Sequence, residues 1–370
     1  MATITLCMIV KNETKTIARC LQSVAGIPDE IVIVDTGSDD DTKKIAADFT
    51  SRVLDFDWID DFAAARNFSF EQATMDYILW LDSDDILLPA DRAKLMELKN
   101  ALSPDIDAVS MAYNVSFDAN NNLTSSSRRL RLVRRTARFS WIGVVHEDLE
   151  STEPYKLLNS DIVVTHRKEI PAEGPSRRNL EIFERHIARG APLRPADIFN
   201  YGRELQMHKD FEKAIGNYLQ FLATDDVKPE LALITLNNLA TCYYMVGRPD
   251  KEWECTLKSL EFDVPRPEFS CRFGERFIAQ EKFPQAIFWY ELALKNPAAD
   301  PNSWSVDNHP FSTWLPHKQL GLCYYRTGDY ARSLEHNKAA REFRPDDPEI
   351  ATNVKFLESL LSRPAQPHTG

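Results

Sequence analysis

The chain has no cysteines spaced as C-x-x-C, no apolar run of membrane-spanning length, and no surplus of basic residues. Each absence excludes something. The six cysteines, Cys7, Cys20, Cys242, Cys255, Cys271 and Cys323, are scattered, and several fall on apolar positions. They read as reduced core residues, not as a zinc site or disulfide framework. A transmembrane helix needs about 20 apolar residues, so none is expected. The first residues lack the pattern of a signal peptide, because strand-like Ala2 to Val10 runs straight into Lys11-Asn12-Glu13. The expected location is the cytoplasm. A net charge of -12 excludes a general nucleic-acid or anionic-membrane surface, since phosphate backbones need a basic partner. There is also no glycine-rich basic loop after the first strand, which a nucleotidyltransferase on a similar fold would want.

What is present divides into two halves. With 370 residues the chain exceeds one ordinary core. Residues 1–180 alternate strands and helices. Apolar runs at Ile4–Val10, Glu30–Asp35 and Tyr77–Trp80 read as buried parallel strands, with a further strand over 52–58. Helices are expected over 38–48, 62–73 and from Pro89 to Leu102, with Asn12 capping the helix after the first strand. Strands at 108–117, 128–135 and 161–165 follow. That order predicts an α/β domain with a mostly parallel, right-handed sheet covered on both faces.

Three polar clusters then fall at strand ends: Lys11-Asn12-Glu13, Asp35-Thr36-Gly37-Ser38 and Asp82-Ser83-Asp84-Asp85. Ligands of open α/β sheets bind just beyond the carboxyl ends of the strands. Asp35 is placed to accept from a base N–H or a ribose hydroxyl, and Gly37 lets the backbone approach a ligand. Three clustered carboxylates repel one another unless a cation sits among them, and a divalent metal carrying a polyphosphate suits that place.

The segments Cys7–Glu13, Ile33–Thr42, Phe62–Asn67 and Leu79–Asp85, with Trp141-Ile142-Gly143-Val144-Val145-His146-Glu147, resemble family 2 glycosyltransferases of the GT-A fold. Within that family they resemble a subgroup with C-terminal helical repeats that includes bacteriocin-type peptide S-glycosyltransferases. The resemblance covers roughly residues 3–180. It implies a metal-dependent, inverting transfer from a nucleotide-diphosphate sugar, a UDP-sugar foremost, with Mn²⁺ or Mg²⁺. It implies donor contacts from Val10, Asn12, Glu13, Asp35, Gly37, Arg66, Asp82 and Ser83, with Arg66 near the diphosphate. Asp84 would ligate the metal, joined by His166. The base is expected at Glu147, with Asp148 and His146 as rivals.

Residues 197–361 repeat a helical hairpin, after a linker over 181–196. The units are Tyr201-Gly202-x-x-Leu205, Leu239-Ala240-x-x-Tyr243, Phe273-Gly274-x-x-Phe277 and Leu320-Gly321-x-x-Tyr324. They resemble tetratricopeptide repeats, whose period is about 34 residues, and such repeats stack into a concave binding surface. A peptide, protein or glycan acceptor, or a protein partner, is expected there. Asn296 to His309 is an insertion, and residues 362–370 read as a disordered tail.

Blander readings compete. Asp39, Asp40 and Asp41 read as helix N-terminal acids rather than metal ligands. The cluster Arg128, Arg129, Arg131, Arg134, Arg135 and Arg138 reads as a solvated strand face. Trp141 is core or a sugar-stacking residue. His146 and His166 are equally well explained as ordinary polar residues. Tyr243, Trp289 and Tyr324 read as repeat core. The alternative to an enzyme is a catalytically inactive transferase fold serving as a scaffold or binding protein.

Overall fold

The computed structural model describes residues 1–167, 176–225, 227–295, 304 and 306–362. Strands β1 (Ile4–Val10), β2 (Glu30–Asp35), β3 (Val53–Asp55) and β4 (Tyr77–Trp80) form the parallel part of the sheet, in the order β3-β2-β1-β4. Helices α1 (Ile17–Ser23), α2 (Thr42–Ala47) and α3 (Phe62–Glu71) connect them. The centres of β1, β2 and β4 are apolar because both faces are covered. Leu6, Met8 and Val10 of β1 pack with Leu21 of α1, while Cys7 packs on the other face with Ala63 and Phe70 of α3.

The sheet continues through β7 (Leu123–Arg134), β6 (Ala108–Phe117), β10 (Leu157–His166) and β5 (Asp85–Leu87). β7 runs antiparallel to β4, and β5 antiparallel to β10, so the sheet is mixed but mostly parallel. Helix α4 (Pro89–Ala101) has a proline in its first turn. A separate two-stranded sheet joins β8 (Phe139–Ile142) to β9 (Asp148–Ser151).

Several expectations need correction. Asn12 does not cap α1, whose N-cap is Thr16. Instead Asn12 has φ +58, its N–H donates to Ser38 Oγ at 2.9 Å, and its Oδ1 accepts from the Asp39 N–H at 3.0 Å. That tie holds residues 38–41 as a loop, so α2 begins only at Thr42 rather than Ser38. Asp40 supports that start, its carboxylate accepting from the Thr42 N–H at 2.9 Å. The third strand shortens to Val53–Asp55. The arginine cluster is not wholly a solvated face: Arg128 and Arg131 are buried, and Arg131 has no exposed surface. Trp141 is buried core, edge-on to Trp80 with ring centroids 4.7 Å apart.

Helices α5 (Arg178–Ala188), α6 (Pro195–Met207) and α7 (Phe211–Leu222) belong to the same compact unit as the sheet, which spans Met1–Val115 and Ser127–Val227. A second unit comprises Lys228–Pro301, Ser305–Gly370 and Ser116–Ser126, the tip between β6 and β7. Its helices are α8 (Pro229–Met245), α9 (Pro249–Lys258), α10 (Pro267–Ala279), α11 (Phe283–Lys295), α12 (Trp314–Arg326), α13 (Tyr330–Phe343) and α14 (Pro348–Leu361). The small residues of the repeats admit a neighbouring side chain. A Cβ on Gly274 would stand 2.5 Å from the Tyr290 ring, and one on Gly321 would stand 2.4 Å from Asn337. Tyr243 and Tyr324 are buried, while Trp289 is half-buried and stacks on Phe273 at 4.2 Å. Short strand β11 (Asp307–Asn308) pairs with Ser125 and Ser126 of β7, so the hairpin tip is stitched into this unit. Most of the 296–309 insertion and residues 363–370 lie outside the described residues. All six cysteines are buried and free.

Candidate functional site

The in-register ends of β1 and β2 bring Val10 opposite Asp35. The Val10 carbonyl accepts from both the N–H and the hydroxyl of Thr36. Asp35 is 1% exposed. Its Oδ1 accepts from the Gly37 and Ser38 N–H groups at 2.9 and 2.8 Å, which fixes the carboxylate. Its Oδ2 is buried without a hydrogen-bond partner among the described residues. A buried acceptor left unpaired is costly, so this oxygen suits a donor brought by a ligand. Gly37 has φ +101 with open space where a Cβ would stand. Glu13 is turned inward, accepting from Thr16 Oγ1 at 2.7 Å.

On the far side of β1, β4 ends at Trp80 and delivers the acidic turn. Arg66 of α3 is the hub. Its Nη2 donates to Asp82 Oδ1 at 2.7 Å and its Nε to Glu147 Oε1, while the guanidinium sits over Trp80 and Trp141. Burial opposes charge on Asp82, but the Arg66 guanidinium overrides it and holds the carboxyl below the usual range. Ser83 is buried beside it.

Asp84 and His166 meet at 3.2 Å, and His166 Nδ1 is 3.3 Å from Asp85 Oδ1. Burial works to lower the imidazole's pKa, yet the two carboxylates raise it to about 9. These three groups offer ligand atoms within 4.8 Å of one another. Two carboxylates and an imidazole fit a divalent cation of the Mn²⁺ or Mg²⁺ kind. Asp85 is already engaged: it accepts from Tyr113 Oη at 3.0 Å and the Asp82 N–H at 3.1 Å, and pairs with Arg131 Nη1 at 2.9 Å. Tyr113 Oη also lies 3.0 Å from His166 Nδ1, so the Asp84 side chain is the least engaged of the three.

The segment Trp141–Glu147 is the end of β8 and the loop of the β8–β9 hairpin. Asn67 of α3 holds it, bonding both the N–H and the carbonyl of Trp141. Gly143 and His146 both have positive φ, +107 and +55, which turns the loop back. Glu147 faces Arg66. His146 Nε2 lies 2.6 Å from Glu204 Oε1 of α6. Asp148 starts β9, half-exposed and 4.0 Å from Arg129; partial burial pushes its carboxyl pKa up.

Residues 5–152 match the profile described as Glycosyl transferase family 2. This region is a family 2 glycosyltransferase domain. The glycosyltransferase SunS of Bacillus subtilis is 32% identical over 236 residues, covering 59% of this chain and 54% of SunS. A TPR repeat-containing protein of Synechococcus elongatus is 48% identical over 88 residues, covering 24% of this chain and 22% of that protein. A glycosyltransferase of Rickettsia felis is 31% identical over 107 residues, covering 29% of this chain and 34% of that protein. The chain thus spans about half of SunS and less of the other two. The C-terminal helical hairpins are tetratricopeptide-like repeats. Among the described residues no helix is long and apolar enough to cross a membrane.

Within the transferase domain, the structure brings Asn12 to the Asp35 loop, Arg66 to Asp82 and Glu147, and Asp84 to His166. It leaves Asp148 and Glu13 facing other partners. Four residues near the site escaped the sequence. Arg131 and Tyr113 sit on strands whose charges and rings default to surface and core. Glu204 lies far along the chain, on a helix face it shares with Asn200 and Tyr201, and no local pattern ties it to the site. Arg178 of α5 is exposed and its guanidinium lies over Phe62, with Glu13, Glu147 and Glu204 within electrostatic reach.

Proposed function

We propose that this chain is an inverting, metal-dependent glycosyltransferase that takes a sugar from a nucleotide-diphosphate donor, a UDP-sugar foremost. The observation that carries this reading is the unpaired, buried Oδ2 of Asp35 on the same strand ends as the Asp84–His166 pair. A nucleobase N–H satisfies the first, and the second lies where a diphosphate would reach. Val10, Asn12, Glu13, Gly37 and Ser83 line the donor's path. A divalent cation held by Asp84 and His166 would offset the negative charge growing on the leaving diphosphate. Arg66 keeps Asp82 ionised and in place near the ribose, with its other arm on Glu147.

The base that takes the acceptor's proton belongs to the segment Glu147, Asp148 and His146. The repeats are read as the acceptor's docking surface, for a peptide or protein foremost and a glycan second, or for a protein partner. We assign residues 1–180 to the transferase domain, 181–196 to a linker and 197–361 to the repeats. The cytoplasm, where the six free cysteines stay reduced, is the proposed location.

The test is nucleotide release from a panel of UDP-, GDP- and TDP-sugars, with Mn²⁺ or with chelator, alongside Asp84→Ala. Release from one donor that needs metal and disappears in the variant supports the reading. Undiminished release in Asp84→Ala removes the metal role. Donor binding without turnover, with every acceptor class tried, moves the chain to the scaffold reading.

A further inference from the structure

Resting on the transferase reading above, we infer that Glu204 is the positioning residue of a carboxylate–imidazole dyad in which His146 takes the acceptor's proton. His146 Nε2 and Glu204 Oε1 are 2.6 Å apart. The Glu204 side chain is 2% exposed, whereas that of His146 is 31% exposed, so a buried carboxylate backs an imidazole that solvent and an acceptor can reach. Asn179 Nδ2 donates to the same Glu204 oxygen at 3.2 Å, which fixes the carboxylate from a second side. The backbone of His146 is fixed too. Its φ of +55 is uncommon for a residue with a side chain, and Asn200 Nδ2 reaches its carbonyl at 3.5 Å.

The chemistry follows from which nitrogen is occupied. A carboxylate facing Nε2 accepts an N–H there, so the neutral ring carries its hydrogen on Nε2 and leaves the Nδ1 lone pair bare. No described residue bonds to that Nδ1. Glu147, the neighbour first expected as base, has its Oε1 occupied by the Arg66 guanidinium. Burial alone would raise the Glu204 pKa, but the hydrogen bond from His146 holds it below the usual range, which keeps the carboxylate ionised. The other charged groups facing Glu204 are His208, at 3.9 Å, and more distantly Arg178 and Arg203.

In the step, the acceptor's O–H, S–H or N–H gives its proton to Nδ1 as the heteroatom attacks the anomeric carbon. The bond from that carbon to the β-phosphate oxygen breaks, and its electron pair leaves on the nucleoside diphosphate. Glu204 stabilises the imidazolium, which afterwards returns its proton to solvent. Glu204 belongs to α6, in the part of the chain that the sequence assigns to the repeats, so a residue beyond the family profile contributes to this chemistry.

The experiment uses the full chain and water as acceptor, with the donor that wild type hydrolyses fastest from the UDP-, GDP- and TDP-sugar panel in Mn²⁺. Glu204→Gln keeps the shape but removes the carboxylate charge that stabilises the imidazolium, which weakens the base. The expected result is a kcat lower by about 10²-fold or more with donor KM within about twofold, as loss of a general base requires. Glu204→Asp recovers part of kcat, because it restores the charge. The ¹⁵N shifts of His146 give a readout independent of turnover: hydrogen on Nε2 and a bare Nδ1 in wild type. A Glu204→Gln kcat within about threefold of wild type overturns the proposal, being far less than a base contributes. So does a parallel loss of kcat, donor binding and melting temperature that Glu204→Asp does not repair, and so does a wild-type His146 with its hydrogen on Nδ1. Wild type that binds no nucleotide instead overturns the transferase reading, while the ¹⁵N shifts still judge the dyad.

Discussion

Arg131 is among the largest side chains with no exposed surface in the described residues. It lies between the Trp80 and Tyr113 rings, 3.9 and 4.5 Å from their centroids, and pairs with an equally buried Asp85. Removing one member of such a pair strands the other charge in a poorly solvated place. Arg131→Met should therefore cost about 3–5 kcal/mol of unfolding free energy, read by urea denaturation. A change no larger than a surface substitution would show that Asp85 finds another partner. The same pair explains why Asp85 is set apart from Asp84 in a motif where the letters look alike. One carboxylate is tied to the core, and the next is presented to the site. The sequence could not distinguish them, because Arg131 and Tyr113 come from β7 and β6, well downstream. An arginine in a strand otherwise defaults to solvent.

Among the elements, legibility followed burial. β1, β2 and β4 are apolar on both faces, and that uniformity marks them in the sequence. β5, β8 and β9 are three or four residues long with mixed burial, too short to show a period, and they carry or flank Asp85, Trp141 and Asp148. The helix pairs were readable from their small residues, and Gly274 shows why those are needed. Gly274→Ala would drive a Cβ into the Tyr290 ring, an overpacking that costs about 1–3 kcal/mol in thermal or urea unfolding.

Helices α12 and α13 meet through His317 and His336, whose Nδ1 atoms are 2.8 Å apart. Burial, then the facing His336, lowers the His317 pKa to about 4. The unfolded chain takes up this proton near the ordinary value of 6.5. Stability from the neutral pair is thus complete above that pH and is lost as pH falls toward 4. His317→Phe should flatten the fall in melting temperature between pH 7 and pH 5, measured by circular dichroism. An unchanged slope would remove the pair as its cause.

For the whole molecule, the relevant scale is ligand linkage. A nucleotide and a metal that bind only the folded chain stabilise it by mass action, about 2.7 kcal/mol at a hundredfold excess over Kd. UDP with Mn²⁺ should raise the melting temperature, and Asp84→Ala should lose the metal-dependent part while its unliganded melt stays near wild type. The same rise in Asp84→Ala would place the cation elsewhere. The domain class and the repeats were legible because each rests on local pattern. The Arg66 hub and the His146–Glu204 contact were not, because they join segments far apart in the chain.

The stitch between β11 and the tip of the β6–β7 hairpin bears on inheritance. The chain contributes to its repeat unit early, as residues 116–126, and again beyond residue 227. The two units therefore cannot be exchanged by a single crossover between genes. A recombinant that took a foreign repeat array would receive half of a strand pairing, with Ser125 and Ser126 facing an unmatched partner. Lineages that swap their repeats should carry compensating changes in this tip, and an engineer grafting a new array must move the tip with it.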